Sequence, residues 1–540
     1  QLAACLFAAH PVHTENIVYL VGRADKLSTL GWLLATLCHL HVRRCPTSDR
    51  LVPLSSMCGL LLLCAALAVV AALCKESGLT LLVFNAGIEL CSIEGRARTK
   101  PASWRGALVA LLALGLFVAL AFARFQITQG SSAPFGYVDT PIQYHDNRIA
   151  RTWSYLNQHA FYAKLAIFPG KLSWDYSYDA IPVLRAGAAD VRALGVLATY
   201  LAILALSSWS LSGRGLHLRP QRAVLLGLLF ALIPFVPASN LFFVVGVTVG
   251  ERLLYTSTVG VVAVMAALGE HLELGRLQGG KRSGRKPRRW PWWLACALLA
   301  VYVFRCGRRV LQWRSSEALY AADVESWPRS TKTQHQIGTV YHHRGRYDEA
   351  LHHYTASLNI TDDNALTDHC VAQIYIETAQ YQKALERYEK IISGHLVGFA
   401  HTNIWMLWVD YGFTLVTLQQ YEEGIPRLQK GLARNRDLPH GLNALGYAFY
   451  QLGEIQQAQD TLVQALDYDP ENSLIWNNLA AVWLRAGAFQ EALNALERAL
   501  SLEPENPSVL FNAFLLQKAA ENGGLLEAPP RLDLFFMRIG

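Results

Sequence analysis

Residues 445–453, LGYAFYQLG, and residues 479–487, LAAVWLRAG, repeat one pattern at a spacing of 34, with Gly446 answering to Ala480. The same interval separates Ala458 from Ala492, Ala465 from Ala499, and Pro470 from Pro504. Small residues at matched places and a closing proline make this the tetratricopeptide pattern. It is a helical hairpin whose small side chains let two helices approach and whose proline ends the second. The register extends back through Gly338, Tyr341, Ala350 and Tyr354, then through Ala372, Tyr375, Ala384 and Tyr388. A slip near 399–404 precedes a unit carrying Gly412, Gly424 and Leu428. Repeats are expected to start near 331, 365, 405, 439 and 473, covering 331–506, with a degenerate capping repeat and tail over 507–540. Such arrays form a groove for peptides, partner helices or unfolded segments, so this half is expected to bind protein.

Upstream the composition changes. The chain of 540 residues is 52% hydrophobic and 16% charged, with mean hydropathy +0.20, which is too apolar for a soluble globular protein. The excess ends near Val310, so residues 1–310 are read as a multi-span membrane domain. Candidate spans lie at 27–42, 51–73, 77–93, 105–123, 191–212, 221–238, 253–269 and 291–307. Several fall short of the roughly 20 residues that a straight crossing needs. The opening run, 1–9, reads as the tail of another span, with the true N-terminus expected upstream of Gln1. The net charge of +7 does not indicate nucleic acid, because the basic residues gather in short loops rather than along one face. Of the ten cysteines, only Cys370 belongs to the repeat half, and no CxxC pair exists; neither a disulfide framework nor zinc is expected.

Loop charge gives the orientation. Arg43, Arg44 and Arg50 mark one cytoplasmic loop; Arg96, Arg98, Lys100 and Arg105 mark another; Arg214, Arg219 and Arg222 a third; and residues 270–290 a fourth. The opposite side then receives His10–Asp25, the turn Lys75-Glu76-Ser77, the segment 124–190, the turn 239–252 and the repeats. Arg305, Arg308 and Arg309 run against the rule. The sequon Asn359-Ile360-Thr361 is usable only if the repeats are luminal.

Ionisable groups between spans are functional candidates. The stretch 10–25, HPVHTENIVYLVGRAD, holds most of them. His10 and His13 at i, i+3, with Glu15, would converge on a metal in one helical turn; capping of a span terminus is the preferred reading, and no metal is expected. Arg23 and Asp25 are either a plain ion pair at the membrane edge or part of a site. Lys75-Glu76 reads as an internal salt bridge or as a functional pair, and Arg252 as an anchor or as a bidentate phosphate ligand. In the segment 124–190, Ile149, Trp153, Leu156, Ala160, Ala163 and Ile167 recur at helical spacing, suggesting a helix lying on the luminal membrane surface. The cluster Trp174-Asp175-Tyr176-Ser177-Tyr178-Asp179 suits a sugar, although an interfacial aromatic belt looks similar.

HPVHTE followed by VGRAD, then CKE in a turn, KLSWDYSYDAIP, PASNLFF with GERLLY, and the repeats together resemble the transmembrane and tetratricopeptide-repeat O-mannosyltransferases of the endoplasmic reticulum. The resemblance covers nearly the whole chain. Departures are ENIVYLVGRADK where relatives read close to EAVAGIVGRAD, and GERLLYTSTVG where a proline usually follows the tyrosine. The resemblance implies an all-α fold, a polytopic GT-C-type membrane domain followed by a tetratricopeptide α-solenoid. It implies an endoplasmic reticulum membrane protein with luminal repeats, moving mannose from dolichyl phosphate mannose to Ser or Thr hydroxyls of cadherin-like clients that the repeats recruit. No cofactor beyond that lipid donor and no nucleic acid is implied. Carried onto this chain, Glu15 and Asp25 are the catalytic candidates, with the main carboxylate of such enzymes expected upstream of Gln1. Arg252, Lys75 and Arg23 fall to the donor phosphate, and His10, His13, Trp174, Asp175 and Asp179 to the sugar or acceptor. The alternatives are a non-enzymatic membrane-tethered scaffold and a transferase using another polyprenyl phosphate sugar.

Overall fold

The computed structural model describes residues 1–43, 54–90, 104–127, 139–185, 187–212, 219–280, 290–361, 364–394, 404–523, 525–526 and 528–535. Arg44, Arg50, Arg96, Arg98, Lys100, Arg214 and the basic run 281–289, on which the orientation rests, lie outside the described residues. Among the described residues the secondary structure is entirely helical, in two compact units, Gln1–Ile337 and Gly338–Gly540.

In the first unit each apolar run forms a helix. The short α1 (Leu2–Ala8) and α2 (His13–Val18) lead into α3 (Gly22–Arg43), α4 (Leu54–Cys74), α5 (Thr80–Leu90) and α6 (Trp104–Ile127). The helices α7 (Arg148–Ile167), α8 (Arg192–Leu211), α9 (Arg219–Leu232), α10 (Tyr255–Gly280), α11 (Trp290–Gln312) and α12 (Ser316–Ser326) follow. A helix rises about 1.5 Å per residue against a hydrocarbon core of roughly 30 Å. Among the described residues Gly106–Ile127, Arg192–Leu211 and Glu251–Leu272 are long and apolar enough to cross. The described parts of α5 and α9 are 11 and 14 residues long, in keeping with the expectation that several runs fall short of a straight crossing.

Small residues set the packing of this unit. A Cβ added to Gly260 would lie 2.3 Å from the Gly227 carbonyl oxygen, so α9 and α10 touch backbone to backbone, the contact that small residues permit between apolar helices. Trp32, Phe84 and Phe230 bring α3, α5 and α9 together, each pair of ring centroids 5.2 Å apart. Leu37, Leu73, Leu201 and Phe304 stand exposed on the outer surfaces, which is consistent with a bundle that sits in lipid. On α7 the apolar stripe Ile149, Trp153, Leu156, Ala160, Ala163 and Ile167 is exposed or half-buried. The opposite face, with Ser154, Gln158, His159 and Tyr162, turns to the protein.

The repeats are successive hairpins: α13 (Thr331–His343) with α14 (Tyr347–Ile360), α15 (Ala365–Glu377) with α16 (Tyr381–Ser393), and α17 (Ile404–Thr417) with α18 (Tyr421–Leu432). Then come α19 (Pro439–Leu452) with α20 (Ile455–Tyr468), α21 (Ser473–Ala486) with α22 (Phe489–Leu502), and a lone α23 (Pro507–Glu521). The matched small residues are where the hairpins cross. A Cβ on Gly446 would meet the Leu462 side chain at 2.7 Å, and Ala458, Ala465, Ala492 and Ala499 are fully buried. The turns within hairpins need a left-handed residue, supplied by Gly345, Gly453 and Gly487 at φ +70°, +83° and +76°. Ala379 and Gln419 hold the same place at +56° and +64°, where a Cβ is strained by about 1–2 kcal/mol.

Candidate functional site

The stretch 10–25 folds back because Pro11 ends the first apolar turn and Gly22 lets the chain double on itself. A Cβ at Gly22 would stand 2.4 Å from the Asn16 Cα, so only glycine fits. The result buries His10, His13, Glu15, Asn16 and Asp25 together.

The two histidines do not converge on a metal. Val12 N–H donates to His10 Nδ1 at 3.4 Å while Nε2 lies 3.0 Å from the Ala166 carbonyl, so both ring nitrogens are taken. This network assigns the proton to Nε2. Burial holds the ring neutral, with its pKa lowered to about 4. His13 Nε2 bonds Thr258 Oγ1 at 2.7 Å, and that hydroxyl donates onward to the Tyr255 carbonyl at 2.8 Å. Among the described residues no group of three His, Cys, Asp or Glu side chains is placed to hold a metal.

Acidic groups of this stretch face the start of α10. The Arg252 backbone N–H donates to Glu15 Oε2 at 3.2 Å. Burial pushes the Glu15 carboxyl up to about 7, against the opposing pull of Arg252. Asn16 Nδ2 donates to Asp25 Oδ2 at 3.3 Å and to the Arg252 carbonyl at 3.4 Å, while Asn16 Oδ1 is buried with no hydrogen-bond partner. The Arg252 guanidinium is half-buried and makes no hydrogen bond or close ion pair among the described residues; it acts on Glu15 and Asp25 through space.

Two sequence expectations about ion pairs are corrected, and one exception to the charge rule is explained. Asp25 pairs with Lys75 at 3.3 Å, not with Arg23, whose side chain is exposed. Lys75 and Glu76 do not bridge each other; Glu76 takes Arg124 at 2.6 Å across to α6. Arg309 breaks the charge rule because it is buried against Asp323 at 2.5 Å, a pair that needs no aqueous side.

The acidic and aromatic cluster serves largely to fix its own loop. Ser177 N–H donates to Asp175 Oδ1 at 2.6 Å, Asp179 pairs with Arg329, and Trp174 N–H donates to Asp323 Oδ2 at 2.6 Å while its ring meets Tyr320 edge-on at 5.4 Å. Buried Tyr176 donates its hydroxyl to Glu251 Oε1 at 2.6 Å, and Ser173 N–H reaches the same oxygen at 2.7 Å. The loop 171–180 is thus tied to the residue beside Arg252, a link that a separation of 75 positions hides in the sequence. Asn359 is exposed in the last turn of α14.

Fold and site define a helical protein whose first unit buries a polar island of carboxylates beside an uncommitted arginine, and whose second unit is a tetratricopeptide array. Known proteins place that class. The family described as "Protein O-mannosyl-transferase TMTC, DUF1736" matches residues 129–204, and tetratricopeptide repeat families match 329–394 and 443–507. Protein O-mannosyl-transferase TMTC4 of Homo sapiens is 30% identical over 378 residues, 65% of this chain and 48% of that protein. Protein O-mannosyl-transferase TMTC3 of Mus musculus is 27% identical over 563 residues, 98% of this chain and 58% of its own. Protein O-mannosyl-transferase Tmtc3 of Drosophila melanogaster is 27% identical over 420 residues, 72% and 43%. The chain is similar to the TMTC protein O-mannosyl-transferases. It spans about half the length of the curated relatives it matches.

Proposed function

We propose that this protein transfers mannose from dolichyl phosphate mannose to Ser or Thr hydroxyls of client proteins, cadherin-like in kind, in the lumen of the endoplasmic reticulum. Its first unit is then a GT-C-type domain, and the repeats recruit clients from the luminal side, where exposed Asn359 is a glycan acceptor. The observation that carries the reading is the juxtaposition of Glu15 with Arg252: a buried carboxyl pushed up to about 7 near a guanidinium that has no hydrogen bond or ion pair among the described residues. A carboxyl near neutrality can take a proton at working pH, and an uncommitted guanidinium can bind a phosphate with two parallel hydrogen bonds.

In the transfer the acceptor oxygen forms a bond to the mannose anomeric carbon as the carbon–oxygen bond to the phosphate breaks. The hydroxyl proton passes to Glu15, the base this chain offers, and the electron pair leaves on dolichyl phosphate, whose charge Arg252 and exposed Arg23 stabilise. Asp25 and Lys75, ion-paired with each other, position this wall together with buried Asn16, which donates to Asp25. His10 and His13 support the wall from behind, and the loop carrying Trp174, Asp175 and Asp179 borders it through Tyr176 and Glu251. The test is transfer of labelled mannose from dolichyl phosphate mannose to a Ser/Thr acceptor peptide by the purified full-length protein. Saturable transfer supports the proposal. A properly folded protein that transfers nothing leaves a membrane-tethered scaffold, and transfer from another polyprenyl phosphate sugar alone would replace mannose.

A further inference from the structure

The first helices of three successive repeats carry a set of fully buried asparagines that the hairpin packing does not call for: Asn443 on α19, Asn477 and Asn478 on α21, and Asn512 on α23. They form two equivalent clamps, one repeat apart. In each, an asparagine is held by another 35 positions earlier: Asn478 Nδ2 donates to Asn443 Oδ1 at 2.7 Å, and Asn512 Nδ2 to Asn477 Oδ1 at 2.9 Å. Each held amide grips the backbone of one residue from a segment beyond α23. Arg531 N–H donates to Asn512 Oδ1 at 2.8 Å and Asn512 Nδ2 donates to the Arg531 carbonyl at 2.7 Å. Asp533 N–H donates to Asn478 Oδ1 at 2.7 Å and Asn478 Nδ2 donates to the Asp533 carbonyl at 2.7 Å.

One repeat of the array therefore advances two residues along an extended chain, whose alternate residues present N–H and C=O to the same side. An amide with one donor and one acceptor face reads main chain regardless of side chain. Side chains add selectivity. The Asp533 carboxylate accepts from Ser508 Oγ at 2.9 Å and Asn477 Nδ2 at 3.3 Å, the Arg531 guanidinium lies 3.9 Å over the Phe511 ring, and Leu532, Leu534 and Phe535 pack on the repeat core. Pro529 and Pro530 hold the approach extended, which lowers the entropy of docking.

We infer that the two asparagine clamps are a binding site for an extended client segment carrying an acidic residue between apolar ones, and that residues 530–535 occupy it as an internal competitor. The inference deepens the reading of the repeats as client-recruiting and is independent of whether sugar is transferred. Its test is fluorescence anisotropy of a labelled PPRLDLF peptide, matching 529–535, on the full-length protein in detergent without any donor. A variant with the internal segment released, Leu532→Ser with Leu534→Ser and Phe535→Ser, should bind the peptide at least tenfold tighter than the parent. Adding Asn478→Ala and Asn512→Ala should remove that gain. A peptide N-methylated at the position of Asp533 should bind the released variant at least tenfold more weakly, a readout that misfolding of the protein cannot mimic. In the parent, the Arg531 and Asp533 amides should be protected from hydrogen exchange. No binding to the released variant, equal binding of the N-methylated peptide, or exchange of both amides at the rate of an open loop would each overturn the inference.

Discussion

Glu15→Gln is the substitution whose consequence the site defines best. The carboxyl is buried, accepts the Arg252 backbone N–H at 3.2 Å, and has its pKa pushed up to about 7 by burial. A group of that pKa is about 10% ionised at pH ~6 and about 90% ionised at pH ~8, so a base of this kind makes kcat/KM rise about tenfold between them. Glutamine keeps the shape and cannot take the proton, so transfer should fall by about 10²–10⁴-fold and the rise with pH should vanish. Stability runs the other way. A carboxyl with a raised folded pKa contributes stability below its unfolded value of 4.5 that is lost as pH climbs through about 7. Above neutrality the variant should therefore melt no lower than the parent. The assay is the initial rate of labelled mannose transfer across this pH range, with thermal unfolding followed on the same samples. Transfer within a few-fold of the parent, or an unchanged rise through pH ~7, would refute the assignment.

Three further outcomes follow from the geometry. His10 is held neutral with its pKa lowered from 6.5 to about 4, so stability present above 6.5 should be lost as pH falls through about 4; a thermal melt series should show it, and His10→Gln should flatten the loss. Asp323 is fully buried against Arg309, so Arg309→Met alone should cost about 3–5 kcal/mol by leaving an unpaired charge, whereas Arg309→Met with Asp323→Leu should recover most of it in the yield of folded, monodisperse protein. Ala379→Gly and Gln419→Gly relieve positive φ values of 56° and 64° and should each stabilise the repeats by about 1 kcal/mol, read as a higher melting temperature.

The repeats were legible because their packing is periodic: a hairpin crossing admits only small residues, so Gly446, Ala458, Ala480 and Ala492 announce it at fixed spacing. Helix positions in the first unit were legible from apolar runs, whereas the helix lengths were less so: the described parts of α5 and α9 span 11 and 14 residues. Pairings were the least legible. Lys75 sits beside Glu76 in sequence, yet the turn that presents it reaches Asp25, and Glu76 turns to Arg124. Arg309 and Asp323, and likewise Tyr176 and Glu251, meet only because loops fold back on helices. The asparagine clamps show the same limit. Asn443 and Asn477 fall on the repeat period, but what they hold lies beyond the last helix.

Arg252, whose half-buried guanidinium has no hydrogen bond or ion pair among the described residues, is assigned to the donor phosphate. Arg252→Ala in the full-length protein should leave expression and melting temperature unchanged and should lower mannose transfer from dolichyl phosphate mannose at least a hundredfold, about 2.7 kcal/mol of lost transition-state stabilisation. Undiminished transfer by the folded variant would contradict the placement of the donor site.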